Sequence, residues 1–314
     1  MKICHVDPGC GIPIPPPSWG AIEKIIWEFK QNQEKLGHQV EIRMANDISP
    51  GEFDIVHCHV ANLTQTLRIK KIPYIFQLHD HHAFFYGKSS PVFLENLEAI
   101  KKSLISLIPA NYLVEYFDSH KGLYFPHGVN TDFYYPDNNK PKVREFLMLA
   151  NNNFTGDPSM DRKGFTLGLA LASLLNKSIT IAGPSDNKQW LNNNPWVLMH
   201  PKLKLVFDPT QEEVRELYQT HKIFLHPSAL EAGHPNLTMI EAAACGMPII
   251  ANWESSTDFH GAWRAPRDIF EMERGYRDII NNFEIYSSSS LKTAQKLNWY
   301  NRSKDLIKIY KRFI

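Results

Sequence analysis

The sequence predicts an α/β protein built from two Rossmann-like, doubly wound domains in tandem, and three observations carry that expectation. Short apolar runs ending in turn residues alternate with stretches of helical apolar spacing, the grammar of a parallel sheet covered by helices on both faces. The alternation begins afresh after a polar, Pro/Asn/Lys-rich segment at 134–143. A chain of 314 residues is also long enough for two such cores.

The elements follow in order. Residues 2–6 form an apolar run closed by Asp-Pro-Gly, a buried first strand. Pro13, Pro15, Pro16 and Pro17 exclude helix from the next loop. Ile22, Ile25, Ile26, Phe29 and Leu36 then share one face of a helix that stops at Gly37. Residues 39–44, 53–59 and 74–78 are the following strands. Beyond the linker, 146–150, 178–182, 203–207, 223–226 and 248–251 read as strands, with helices near 164–176, 210–220, 237–245 and 267–283. Leu306, Ile307, Ile309, Tyr310 and Phe313 give the tail a closing helix. The expected divisions are 1–140, 141–296 and 297–314.

Composition narrows the function. Apolar residues make up 43% of the chain, ordinary for a globular protein, and 34 Lys+Arg against 33 Asp+Glu leave a net charge of +1. That balance argues against extensive non-specific nucleic-acid binding. Cys4, Cys10, Cys58 and Cys245 show no CxxC spacing and the N-terminus lacks a signal-peptide pattern, pointing to a reducing, cytoplasmic setting. No apolar run approaches the ~20 residues of a membrane helix. Stable insertion is therefore not expected, although Lys304, Lys308, Lys311 and Arg312 leave a peripheral membrane contact open.

The most informative stretch runs from Leu225 to Ile250. A strand ends at His226, a Gly/Pro loop follows, and Asn236 is placed to cap a helix starting at Leu237. The N–H groups from Gly233 through His234 and Asn236 to Leu237 suit a diphosphate. Glu241, a turn into the helix, can accept both hydrogen bonds of a vicinal diol such as a ribose. Glu231 on the loop would face whatever lies beyond the phosphates. The alternative is a solvated Glu231 and a Glu241 that serves the helix dipole. Histidines also collect at two strand ends, in Asp54-Ile-Val-His57-Cys-His59 and Leu78-His79-Asp80-His81-His82. A metal site or packed, capped side chains would each explain them.

Ser228, Glu231, Pro235-Asn236 and Glu241-Ala-Ala-Ala-Cys-Gly-Met-Pro-Ile-Ile250 resemble the paired-glutamate signature of retaining glycosyltransferases of the GT-B fold. More closely, they are similar to its large fourth family, the glycosyl transferases group 1. The resemblance implies two Rossmann-like domains facing across a cleft that holds the donor. It further implies sugar transfer from a nucleotide diphosphate to an acceptor hydroxyl, with retention and without a metal. No Asp-x-Asp occurs in the sequence. No cofactor is implied; the substrate is a UDP-, GDP- or ADP-linked sugar. In the family the first glutamate lies near the donor sugar and the second binds the ribose. Here nine residues separate Glu231 from Glu241, more than the family's usual interval.

Other segments extend the resemblance over most of the chain. Ile14-Pro-Pro-Pro-Ser-Trp19-Gly20-Ala-Ile-Glu23 is similar to the family's glycine-rich loop, with Gly20 allowing close approach of a phosphate or sugar. His79 corresponds to a histidine that contacts the donor sugar or phosphate. Pro126-His-Gly128-Val-Asn130 through Pro136 resembles the exit from the first domain. Lys163-Gly164 matches the lysine-glycine pair that neutralises the diphosphate. The arginine expected upstream is replaced by Asn151-Asn-Asn153, and Arg162 is the substitute at hand. Gly183-Pro184 matches a turn near the nucleotide base. The acceptor is left open among a glycan, a lipid-linked glycan, a small molecule and a modified DNA base. The competing functions are a degenerate nucleotide- or sugar-binding protein and an epimerase on the same fold. Oligomeric state is not legible.

Overall fold

The computed structural model describes residues 1–17, 20–152, 161–252 and 259–314. Trp19 of the N-terminal loop and Asn153 of the asparagine run lie outside the described residues. The chain divides into two units. The first contains Met1–Gly128, Ala232–Pro235 and Leu297–Ile314; the second contains Val129–Glu231 and Asn236–Lys296.

The first unit is a six-stranded parallel sheet. Its strands are β1 (Lys2–Val6), β2 (Gln39–Arg43), β3 (Ile55–Cys58), β4 (Ile75–Gln77), β5 (Ser106–Ile108) and β6 (Gly122–Tyr124), in the order β2-β1-β3-β4-β5-β6. Register is set by pairs such as Ile3 with Ile55 and His5 with His57. The first helix, Ala21–Lys35, buries Ile25, Ile26 and Phe29, and with them the polar Glu23, Glu28, Asn32 and Gln33. Gly20 caps its start at φ 141, where a side chain would meet Pro16 and Glu23 at 3.0 Å. The closing helix, Trp299–Tyr310, folds onto this same unit. Trp299 packs edge-on against Phe29 at 5.1 Å, and Arg302 lies over the Phe125 ring.

The second unit is a second six-stranded parallel sheet. It comprises β7 (Arg144–Leu149), β8 (Ile179–Gly183), β9 (Leu203–Phe207), β10 (His221–His226), β11 (Ile249–Ala251) and β12 (Ala262–Arg264), ordered β12-β11-β10-β7-β8-β9. Counted from β7, that is the strand order of a dinucleotide-binding Rossmann sheet, reversing between β7 and β10. Phe146, Phe165, Ile179, Ile223 and Trp190 are buried in its core. The helix Gln211–Thr220 starts with a full capping box, Thr210 accepting from the Glu213 N–H and Glu213 accepting from the Thr210 N–H.

Sequence reading located nine of these strands and missed β5, β6 and β12. Each has only three residues, too few for a period, and Gly122 opens β6 where a strand former would be expected; β4 and β11, of the same length, were found within the longer stretches 74–78 and 248–251. The division between units falls between Gly128 and Val129 rather than at 140. The polar segment after Tyr134 belongs to the second unit, anchored by Tyr134 packed edge-on against Tyr218 at 5.9 Å.

Gly164 has φ 74, and a Cβ there would lie 2.6 Å from the Pro227 carbonyl oxygen. Gly164→Ala should therefore destabilise the fold by about 2 kcal/mol or more. Chemical denaturation measures this, and a loss below about 0.5 kcal/mol would contradict the geometry.

Candidate active site

In open α/β sheets ligands bind outside the carboxyl ends of strands, where the strand order reverses. In the second unit that point lies beyond β7 and β10. After β7 comes Asn152, almost fully buried, whose Oδ1 accepts from the Lys163 N–H at 2.9 Å and whose Nδ2 donates to Asp161 at 3.2 Å. Asp161 in turn accepts from the N–H groups of Phe165 and Thr166, fixing the start of the helix Phe165–Leu174. This chain of bonds aims Lys163 at the end of β10.

There Lys163 Nζ forms an ion pair with Glu231, and Arg162 donates to the Leu230 carbonyl at 2.7 Å with Glu231 at 3.5 Å. His226 Nε2 lies 3.3 Å from the same carboxylate oxygen. Burial opposes ionisation of Glu231, but the Lys163 charge, the His226 hydrogen bond and Arg162 outweigh it and hold its pKa well below the usual range. Burial lowers the Lys163 pKa, with Glu231 pulling the other way. Both cations expected at the diphosphate thus lie against the glutamate expected at the sugar. Sequence reading named the three residues but not their pairing.

Asn236 caps the helix Leu237–Ala244 as expected. Its Oδ1 accepts from the Met239 N–H at 3.0 Å, and its Nδ2 lies 2.9 Å from His226 Nε2. The first-turn N–H groups of Leu237 and Thr238 have no carbonyl four residues back within the helix. Glu241 is buried, and Tyr218 donates to its Oε2 at 3.2 Å. Burial, with Glu241 next in effect, raises the Tyr218 pKa, so the phenol remains a donor. Gly183 ends β8 with no room for a side chain beside Asn187 and the Ala150 carbonyl.

The other expected residues belong to the first unit. The His234 N–H donates to the Pro109 carbonyl at 3.0 Å, and Tyr124 donates to the His234 carbonyl at 2.6 Å. His234 thus spends its N–H on the fold instead of adding it to a phosphate cradle. Gly233 packs so closely on His127 that a Cβ would come within 2.8 Å of its ring. His79, just past β4 and half-buried, bonds through Nε2 to His59 Nδ1 at 3.0 Å and stacks on His127, with ring centroids 5.8 Å apart. His5, His57 and His59 bring ring nitrogens within 4.8 Å of one another, a grouping that could hold a metal. Two of those nitrogens, His5 Nδ1 and His59 Nε2, are bonded to each other at 2.9 Å. Sequence reading noticed His57 and His59 but missed His5, His127 and His226. Their common signal is position at or just past the end of a parallel strand.

Residues 154–264 match the profile of the family described as glycosyl transferases group 1. The matched segment is part of the second unit apart from Ala232–Pro235, and the chain as a whole has the GT-B fold. Among solved structures, it is similar to sucrose-phosphate synthase from Thermosynechococcus elongatus, with TM-score 0.78 and 13% identity over 99% of this chain and 98% of that one. It is also similar to Anabaena HepE in complex with UDP and glucose, with TM-score 0.75 and 12% identity over 99% and 100%. The catalytic domain of starch synthase IV from Arabidopsis thaliana, bound to ADP and acarbose, aligns with TM-score 0.68 and 12% identity over 99% of both chains. At these identities the likeness is one of fold. No curated protein sequence matches the chain. Among the described residues no helix is long and apolar enough to cross a membrane.

The buried histidines should make the protein acid-sensitive. Burial lowers the pKa of His5, His127 and His221 from 6.5 to about 4. The unfolded chain therefore takes up protons first, and stability falls from about pH 6.5 towards pH 4. At pH 5 each histidine costs on the order of 2 kcal/mol, a large share of ordinary domain stability. Melting temperature should drop steeply between pH 6.5 and 4.5; a flat profile would contradict this burial.

Proposed function

We propose that this protein is a glycosyltransferase that moves a sugar from a nucleotide diphosphate to an acceptor hydroxyl, with retention and without a metal ion. One observation supports the reading above others. A buried cluster of Lys163, Arg162, His226 and Glu231 occupies the strand-order reversal of a Rossmann sheet, beside the N-terminus of the helix that carries Glu241.

Each group has a task in that reaction. A diphosphate entering this edge competes with Glu231 for Lys163 and Arg162, and the exchange swaps one buried anion for another. The charge that grows on the departing diphosphate then meets two cations and the helix N-terminus, stabilisation that needs no reorganisation. Glu231, released from Lys163, becomes free to accept from sugar hydroxyls. Glu241 accepts from the ribose diol while Tyr218 holds its second oxygen in place. His79 contacts a substrate hydroxyl from the first unit. The relatives named above include structures with UDP and glucose and with ADP, which makes UDP- and ADP-sugars the first donors to test.

Lys163→Ala and Glu241→Ala should each weaken binding of UDP, GDP or ADP, whichever the protein accepts, by roughly tenfold or more in calorimetry. Circular dichroism should stay intact. Unchanged affinity in both variants would remove the donor site from this edge. Turnover should also persist after chelator treatment; loss of activity restored by a divalent ion would overturn metal independence.

A further inference from the structure

Four polar side chains of the first unit form one continuous line. Gln33, fully buried on the helix Ala21–Lys35, places its Oε1 at 3.0 Å from His5 Nε2. His5, on β1, places Nδ1 at 2.9 Å from His59 Nε2. His59, just past β3, places Nδ1 at 3.0 Å from His79 Nε2. His79 Nδ1, at the end of the line, is shielded from water and has no hydrogen-bond partner among the described residues.

The protons on this line are not independent. An amide oxygen only accepts, so His5 Nε2 must carry a hydrogen. A neutral imidazole has one N–H, which leaves His5 Nδ1 as an acceptor and makes His59 Nε2 a donor. By the same step His59 Nδ1 accepts and His79 Nε2 donates. His79 Nδ1 is then a bare lone pair. Burial is the chief cause that lowers the pKa of all three rings, so each remains neutral at pH 7 and the one-proton rule holds. The line lies where the order of the first sheet reverses, between β1 and β3.

We propose that Gln33, acting through His5 and His59, fixes His79 in its Nε2–H tautomer and thereby makes Nδ1 an acceptor for a substrate hydroxyl. Gln33, His5 and His59 are positioning residues, and only His79 touches substrate. The substrate class follows from the chemistry. A bare imidazole nitrogen rejects a phosphate or carboxylate oxygen, which offers no hydrogen, and accepts a sugar O–H. The assignment of that hydroxyl to substrate rests on the transferase reading; the tautomer does not.

Histidine-selective 15N labelling with long-range 1H–15N correlation at pH 7 reads each ring directly, with the His79 signals identified by their loss in His79→Phe. The wild-type protein should show His5, His59 and His79 all protonated at Nε2 and bare at Nδ1. A proton on His79 Nδ1 would overturn the proposal without any variant. Gln33→Glu, whose carboxylate also only accepts, should keep the His79 tautomer. Gln33→Met should give a tautomer mixture at His79 and lower kcat by about tenfold, the equivalent of one substrate hydrogen bond. A His79 spectrum unchanged in Gln33→Met would refute the coupling. If the wild-type enzyme turned over none of UDP-, GDP- or ADP-glucose, the transferase reading would lose support while the tautomer result stood by itself.

Discussion

Every paired strand in both sheets runs parallel to its neighbours, and this one constraint places the chemistry. A parallel sheet puts all strand carboxyl ends on one edge, and the reversal of strand order opens a gap there between loops. In the second unit that edge gathers Asn152, Lys163, His226, Glu231 and the helix N-terminus at Leu237. In the first it gathers His59, His79 and His127. The sheets are buried on both faces, so the polar groups at their ends must find partners among themselves. The ion cluster and the histidine line are two solutions to that requirement.

Glu231 ties the ion cluster together. It lies within reach of two cations and an imidazole in a site that is nearly closed to water. A lone carboxylate there would be costly, as would a lone lysine; together they are tolerated. The same energetics make the cluster responsive, because another anion of suitable shape can take the place of the glutamate. In the proposed function, stability and recognition draw on one set of charges.

Much of the fold was legible because long apolar runs carry a period. Residues 203–207 and 2–6 were read with the bounds they adopt, and Asn236 was identified as a cap from its place before Leu237. Three of the five three-residue strands, β5, β6 and β12, were not legible, since their pairing comes from neighbours instead of their own composition. The site was half legible. Lys163, Glu231 and Glu241 stood out through a family resemblance, but that resemblance said nothing of partners. Sequence cannot show that Glu231 reaches back sixty-eight residues to Lys163, or that His234 spends its N–H on Pro109. The line from Gln33 to His79 was invisible for the same reason, as its members come from a helix and three strand ends.

The central claim is that Glu231 holds Lys163 and Arg162 until a diphosphate displaces it. Calorimetry of Glu231→Gln with UDP, GDP and ADP tests this most directly, because the amide keeps the shape and removes the competing charge. The account predicts that the nucleotide bound by the wild-type protein binds the variant more tightly. Equal or weaker binding by a variant that melts cooperatively would contradict it.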